Sequence, residues 1–261
     1  MAAPRTIVRA EAPVKVEVRL LGGFQVRVDG QTLPPHRWSR RHGAALVKLL
    51  ALAPGRCLHR EQVIDALWPD LRLDHAAPRL HKAAHYARRA LGHRSAVVLD
   101  ADTVRLCPDD DVQIDGTRFQ QQAESAVTDG SIAAAKAALA SYGGELLPQD
   151  LYEPWAEQSR QHLSRLHGEL LHQAQDWHQV LATDPTNEPA HLALAQRYLD
   201  RGDRTAALRQ LDELDRVLHQ ELGLGPSQPG LLLRRRIESV APDRSCCLDA
   251  PSEPLPAAAA R

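Results

Sequence analysis

Sulphur-bearing residues and phenylalanine are scarce in this chain, with one Met, two Phe and four Cys among 261 residues. Cys57, Cys107, Cys246 and Cys247 show neither CxxC spacing nor a framework-like pattern. That argues against a small disulfide-stapled secreted fold and leads to the expectation of reduced thiols and a cytoplasmic protein. No run of 18 apolar residues exists, so no spanning helix is expected and no membrane partner. The opening residues, MAAPRTIVRAEAPVK, lack the apolar centre of a secretory signal. Also missing are GxSxG, HExxH, GxGxxG and the phosphate-binding GxxxxGK followed by Ser or Thr. Neither catalytic residues nor a cofactor are expected; the protein is read as a non-enzyme.

What is present is ordinary globular material, 43% hydrophobic and 25% charged, in which Leu, Ala and Val dominate. The length allows one or two domains. A net charge of −1 conceals an asymmetry. Residues 14–108 carry 16 Lys or Arg against 8 Asp or Glu, whereas residues 109–240 carry 12 against 21. A basic half joined to an acidic half points to a nucleic-acid partner for the first half alone.

Along the chain, VEVRLLGGFQVRV (16–28) is rich in β-branched residues and broken by Gly22-Gly23, with a turn at Asp29-Gly30. It predicts short antiparallel strands. Three helices should follow. The first is capped by Ser39 and runs to about Ala53; the second starts near Arg60, turns Val63, Ile64, Leu67 and Trp68 inward, and stops at Pro69. The third is capped by Asp74, holds Pro78 in its first turn, and ends at Gly92. VVLDADTVRLC (97–107) reads as a hairpin. Strands, three helices and a hairpin make a winged helix-turn-helix, whose third helix enters the major groove.

Beyond the acidic joint PDDD (108–111), helices are expected at about 117–128, 131–142, 154–182, 188–201, 204–222 and 228–239. Gly202, Ala206, Ala207 and the Asp184-Pro185 turn resemble degenerate tetratricopeptide units. The fold class is therefore an α+β winged helix-turn-helix domain with an N-terminal antiparallel sheet, followed by an all-α tetratricopeptide-like domain. The boundaries are 1–13 for a disordered arm, 14–108, 109–240, and 241–261 for a disordered tail or linker rich in Pro and Ala.

The third helix, LHKAAHYARRALGH (80–93), carries most of the chemistry. With Leu80 at zero on a helical wheel, Ala83, Ala84, Ala87 and Leu91 cluster within about 60° of it and form the core face. Lys82, His85 and Arg89 fall opposite, at about 140° to 200°, with His81 and Arg88 on one flank and Arg79 and Tyr86 on the other. No acid occurs between Arg79 and Arg94. A solvated helix usually mixes signs to gain i,i+4 pairs, so one uniform sign favours a polyanion. His81 and His85 have the spacing of a helical zinc site, yet Lys82 stands between them and cations crowd them, so no metal is expected. Arg60 and Arg105 are further candidates for DNA phosphate, and Arg40 and Arg41 open the first helix against its dipole.

LLGGFQVRVDG, HREQVIDALWPD and RLHKAAHYARRALG resemble the winged helix of regulators of the Streptomyces antibiotic regulatory protein (SARP) type. DLYEPWAEQSRQHL, LATDPTNEPAHLALAQRYLDRGDRTAALRQ and ELGLGPS resemble the bacterial transcriptional activation domain that follows it. The resemblance implies a DNA-binding transcription activator that occupies direct repeats in double-stranded promoter DNA as a homodimer and contacts RNA polymerase, including its sigma subunit. It also implies association with the nucleoid. By position it assigns Arg79, Lys82, His85, Tyr86 and Arg89 to the recognition helix and 97–107 to the wing. Ala83, Ala84 and Ala87 stand where the family often has larger residues, which implies closer helix packing. A helical protein-interaction scaffold whose winged helix leaves DNA alone is the alternative.

Overall fold

The computed structural model describes residues 13–38 and 40–239. The arm, Ser39 as a cap, and the tail lie outside the described residues. By compactness the chain divides after Asp176, inside the stretch assigned from sequence to the helical half.

The first unit opens with β1 (Lys15–Arg19), β2 (Gln25–Val28) and β3 (Gln31–Thr32). Val16, Val18 and Val26 alternate inward, as period-two strands require. Next come α1 (Arg41–Leu52), β4 (Cys57–His59), α2 (Arg60–Leu67) and α3 (Leu73–Leu91). Then follow β5 (Val97–Leu99), β6 (Thr103–Leu106) and β7 (Asp111–Ile114). Two sheets result, with strand orders β3-β2-β1-β7 and β4-β6-β5. The wing hairpin is present as the sequence predicts, and Cys57–His59 joins it as a third strand through Cys57–Arg105, Leu58–Val104 and His59–Thr103.

Two helix starts differ from the sequence expectation. The residue preceding α1 is Arg40, which makes no side-chain cap, and α3 begins after Arg72, with Asp74 inside its first turn. Pro78 accordingly falls in the second turn of α3 rather than the first. Gly92 does end α3, in a left-handed conformation with its N–H on the Arg88 carbonyl.

The acidic joint is not a loose connector. β7 pairs in parallel with β1 from Lys15–Asp111 to Val18–Ile114, so the first sheet is completed by residues past the joint. Asp115 then accepts hydrogen bonds from the backbone N–H groups of Leu20 (2.7 Å), Leu21 (3.1 Å) and Gly116 (2.7 Å). It opens α4 (Asp115–Asp129), which is followed by α5 (Ile132–Leu139) and α6 (Pro154–Gln173). Phe119, fully buried on α4, packs on Tyr142, and one contiguous core runs from Val16 to Ala174. Lys48 of α1 reaches Asp150 at 2.6 Å, a largely buried ion pair linking the winged helix to the loop before α6. The Ser131 hydroxyl caps α5 by accepting from Ala134 N–H at 3.1 Å. Ser131→Ala should cost about 1 kcal/mol, measurable by denaturant titration.

The long helix expected over 154–182 is interrupted. α6 closes at Gln173, Gln175 takes a positive φ of 56°, and α7 (Trp177–Thr183) begins the second unit. α8 (Glu188–Asp200), α9 (Arg204–Leu222) and α10 (Gln228–Ser239) complete it. Gly202, with φ 80°, turns α8 into α9, and Ala195, Ala207, Leu211, Leu214, Leu218 and Ile237 form its core. Among the described residues no helix is long and apolar enough to cross a membrane.

Candidate nucleic-acid interface

The position of α3 is set by small residues. Ala76, Leu80, Ala83, Ala84, Ala87, Ala90 and Leu91 are buried, the face the wheel assigns to the core. Across from them α1 supplies Gly43, where an added Cβ would lie 3.1 Å from Tyr86 Cβ and 3.4 Å from the Ala87 nitrogen. Alanines facing a glycine bring the two helix backbones close together, as the three alanines imply.

The opposite face of α3 is cationic. Arg79, Lys82, His85 and Arg89 are exposed, and among the described residues no acid pairs with any of them. His85 meets Tyr86 edge to face at 5.5 Å, and Arg40 lies 5.6 Å from the centre of the same tyrosine ring. Two clefts flank this face. One of about 390 Å³ is lined by Arg40, His42, Trp68, Arg79, Lys82 and Tyr86. The other, about 340 Å³, lies among His36, Arg37, Tyr86 and Arg89. His42 stacks on Trp68 at 5.3 Å. Burial holds the His42 imidazole below its ordinary value, and the charges of Arg41 and Arg79 push it the same way. The Glu153 carboxylate, paired with Arg41, works in the opposite direction.

The other residues singled out from sequence have diverse settings. Arg60 begins α2 with its backbone N–H on the Asp102 carbonyl of the wing turn, and its guanidinium lies 3.4 Å from His81 Nε2. Arg60 and His81 thus sit together at one edge of the cationic face. Arg88 turns away: its Nε donates to the Val97 carbonyl at 2.7 Å, tying α3 to β5. Arg105 folds onto Asp100 within the wing, with Nε and Nη2 at 3.1 and 2.7 Å from one carboxylate oxygen. Arg37, His36 and His42 are additions that sequence reasoning passed over; the signal for Arg40 was the acid-free Arg40-Arg41 pair at the head of α1. Among the described residues His81 and His85 belong to no cluster able to hold a metal ion.

A helix held between a helix-turn-helix partner and a three-stranded wing, followed by a helical array, defines a winged-helix fold joined to an all-α part. Residues 114–240 match the family described as bacterial transcriptional activator domain. The solved structure of Mycobacterium tuberculosis EmbR in complex with low affinity phosphopeptide is similar, with a TM-score of 0.63 and 21% identity. The match covers 86% of this chain and 65% of that one, so this chain spans less than two thirds of the length of its structural relative. At that identity the likeness speaks for the fold. No curated protein matches the chain. Residues 114–240 thus match a bacterial transcriptional activator domain, and a winged helix precedes them.

Proposed function

We propose that this protein activates transcription by gripping direct repeats in promoter DNA as a pair of protomers, with α3 in the major groove. The observation that carries the proposal is the outward face of α3, where Arg79, Lys82, His85 and Arg89 stand exposed without an acidic partner among the described residues. Arg forks onto guanine O6 and N7, Lys neutralises phosphate, and unpaired cations of one sign repel each other until a polyanion arrives. The flanking Arg37, Arg40 and Arg60 fit phosphates on either side of the groove. The wing takes a smaller share, because Arg105 is already paired with Asp100. Arg105→Ala should accordingly change affinity by less than about threefold in a gel-shift series, well under the ~1–3 kcal/mol of a base-reading arginine. The helical part, by this reading, meets RNA polymerase and its sigma subunit.

A helical docking scaffold that ignores DNA is the second reading. It is favoured by Leu222, Leu224, Leu231 and Leu232, all more than 40% exposed on the second unit. Selection of bound duplexes from a random pool with the full chain separates the two. Spaced direct repeats, bound with an affinity that falls steeply as salt rises, support the activator. Failure to enrich any sequence, with polymerase or another protein still captured, supports the scaffold.

A further inference from the structure

Three polar side chains converge at the junction where the wing ends and the chain turns into the first sheet. His93 follows the glycine that closes α3, Cys107 follows β6, and Asp110 precedes β7. One potential ligand atom from each lies within 4.8 Å of the other two, and His93 Nε2 stands 3.6 Å from Asp110 Oδ2. The site is enclosed: the side chains of His93 and Asp110 are 12% and 7% exposed, and Cys107 is fully buried. Each outer atom is held by a neighbour. His93 Nδ1 lies 3.1 Å from the Ser95 hydroxyl, and Asp110 Oδ1 accepts from the Val14 N–H at 3.1 Å. That leaves His93 Nε2 and Asp110 Oδ2 facing each other, buried and without a hydrogen-bond partner.

We infer that His93, Cys107 and Asp110 form a binding site for a single zinc-class divalent cation. An imidazole nitrogen, a sulphur and a carboxylate oxygen are donors zinc accepts, and tetrahedral ligands about 2.0–2.3 Å from the metal sit roughly 3.3–3.8 Å apart, which the 3.6 Å between His93 and Asp110 matches and to which the thiol closes on binding. The Ser95 and Val14 contacts orient the donors in the manner of outer-shell partners. Burial, with the adjacent Asp110 charge, pushes the Cys107 thiol up to about 12, so without a cation the sulphur stays protonated and donates to the Ala96 carbonyl at 3.4 Å. A dication offsets that penalty by stabilising the thiolate, and the thiol proton leaves to solvent on binding. The nearby Arg56 charge, the weakest of the influences on this thiol, pulls it down, toward the thiolate. Three protein donors leave a fourth position to a solvent molecule. The inference is independent of the DNA-binding proposal.

The test uses the untagged full-length chain carrying Cys246→Ser and Cys247→Ser, since two adjacent thiols bind metals by themselves. After chelator treatment it is titrated with Co²⁺, then Zn²⁺, against a chromogenic chelator. One Co²⁺ per chain is expected, with thiolate-to-cobalt charge-transfer absorption that Zn²⁺ abolishes. Cys107→Ala should remove that absorption. His93→Gln and Asp110→Asn, near-isosteric and checked for folding by circular dichroism, should each weaken Zn²⁺ by at least ~100-fold, beyond the loss typical of outer-shell changes. Absence of binding by the folded chain, or equal affinity in all three variants, overturns the site and leaves a His93–Asp110 contact beside a buried thiol.

Discussion

Replacing Lys82 and Arg89 together by alanine is expected to weaken binding to the selected promoter repeat by about 100-fold or more. Both side chains lie on the outward face of α3 and are exposed, so their loss leaves the core and the wing intact. Neither has an acidic partner among the described residues. The free protein therefore gains nothing from them that would compensate for the lost contacts. An arginine reading a base is worth about 1–3 kcal/mol, and a lysine on phosphate adds a contact whose loss lowers the salt slope by roughly one. The single variants should divide accordingly. Arg89→Ala should relax sequence discrimination, and Lys82→Ala should weaken all duplexes alike. Gel shifts at two salt concentrations, on cognate and scrambled sites, read both effects. Wild-type affinity in the double variant would remove α3 as the recognition element.

The second large effect concerns stability. Asp115→Ala should destabilise the first unit by about 3 kcal/mol, seen as an earlier denaturant transition. Three backbone N–H groups, those of Leu20, Leu21 and Gly116, converge on this carboxylate. Truncation strands them in a half-buried place, and a stranded donor costs more than the hydrogen bond itself contributes. Asp115→Asn retains one acceptor oxygen and should cost about 1 kcal/mol. Burial raises the Asp115 carboxyl above its ordinary range, although the three donors pull the other way. The folded state thus holds this proton more tightly than the unfolded chain does. The linked stabilisation is present at low pH and is lost as pH rises through the folded value. At neutral pH the charge is maintained at some cost, a further reason for the asparagine variant to be the milder one.

Local signals made much of this legible in the sequence. The wheel placed Leu80, Ala83, Ala84, Ala87 and Leu91 in the core because helical periodicity needs no knowledge of partners. Gly92 and Gly202 announced their turns because each adopts a left-handed conformation that other residues avoid. What stayed hidden is non-local. β4 and β7, three and four residues long, exist only through pairing with β6 and β1, and the alternation in β7, Asp-Val-Gln-Ile, is too short to announce a strand by itself. The break between α6 and α7 escaped because helix-forming residues continue through it, while Gln175 turns without a glycine. Of the basic candidates, sequence ranked exposure well on α3 itself. It gave no hint that Arg88 and Arg105 have partners in Val97 and Asp100, which lie on other turns of the chain. His42 lines a cleft with α3 where Gly43 allows close packing of α1, and Arg37 reaches the other cleft from the turn before α1.

The parallel pairing of β7 with β1 also bears on how such regulators can be recombined. A gene fusion cut at the acidic joint, after residue 108, would leave the amino-terminal sheet without its fourth strand and Leu20 and Leu21 without their acceptor. The transplantable cassette is instead the stretch ending near Asp176, where one compact unit gives way to the next. Under the proposed function, exchanging promoter specificity means moving α4 to α6 along with α3, so that the winged helix and the helices packed on it travel as one piece.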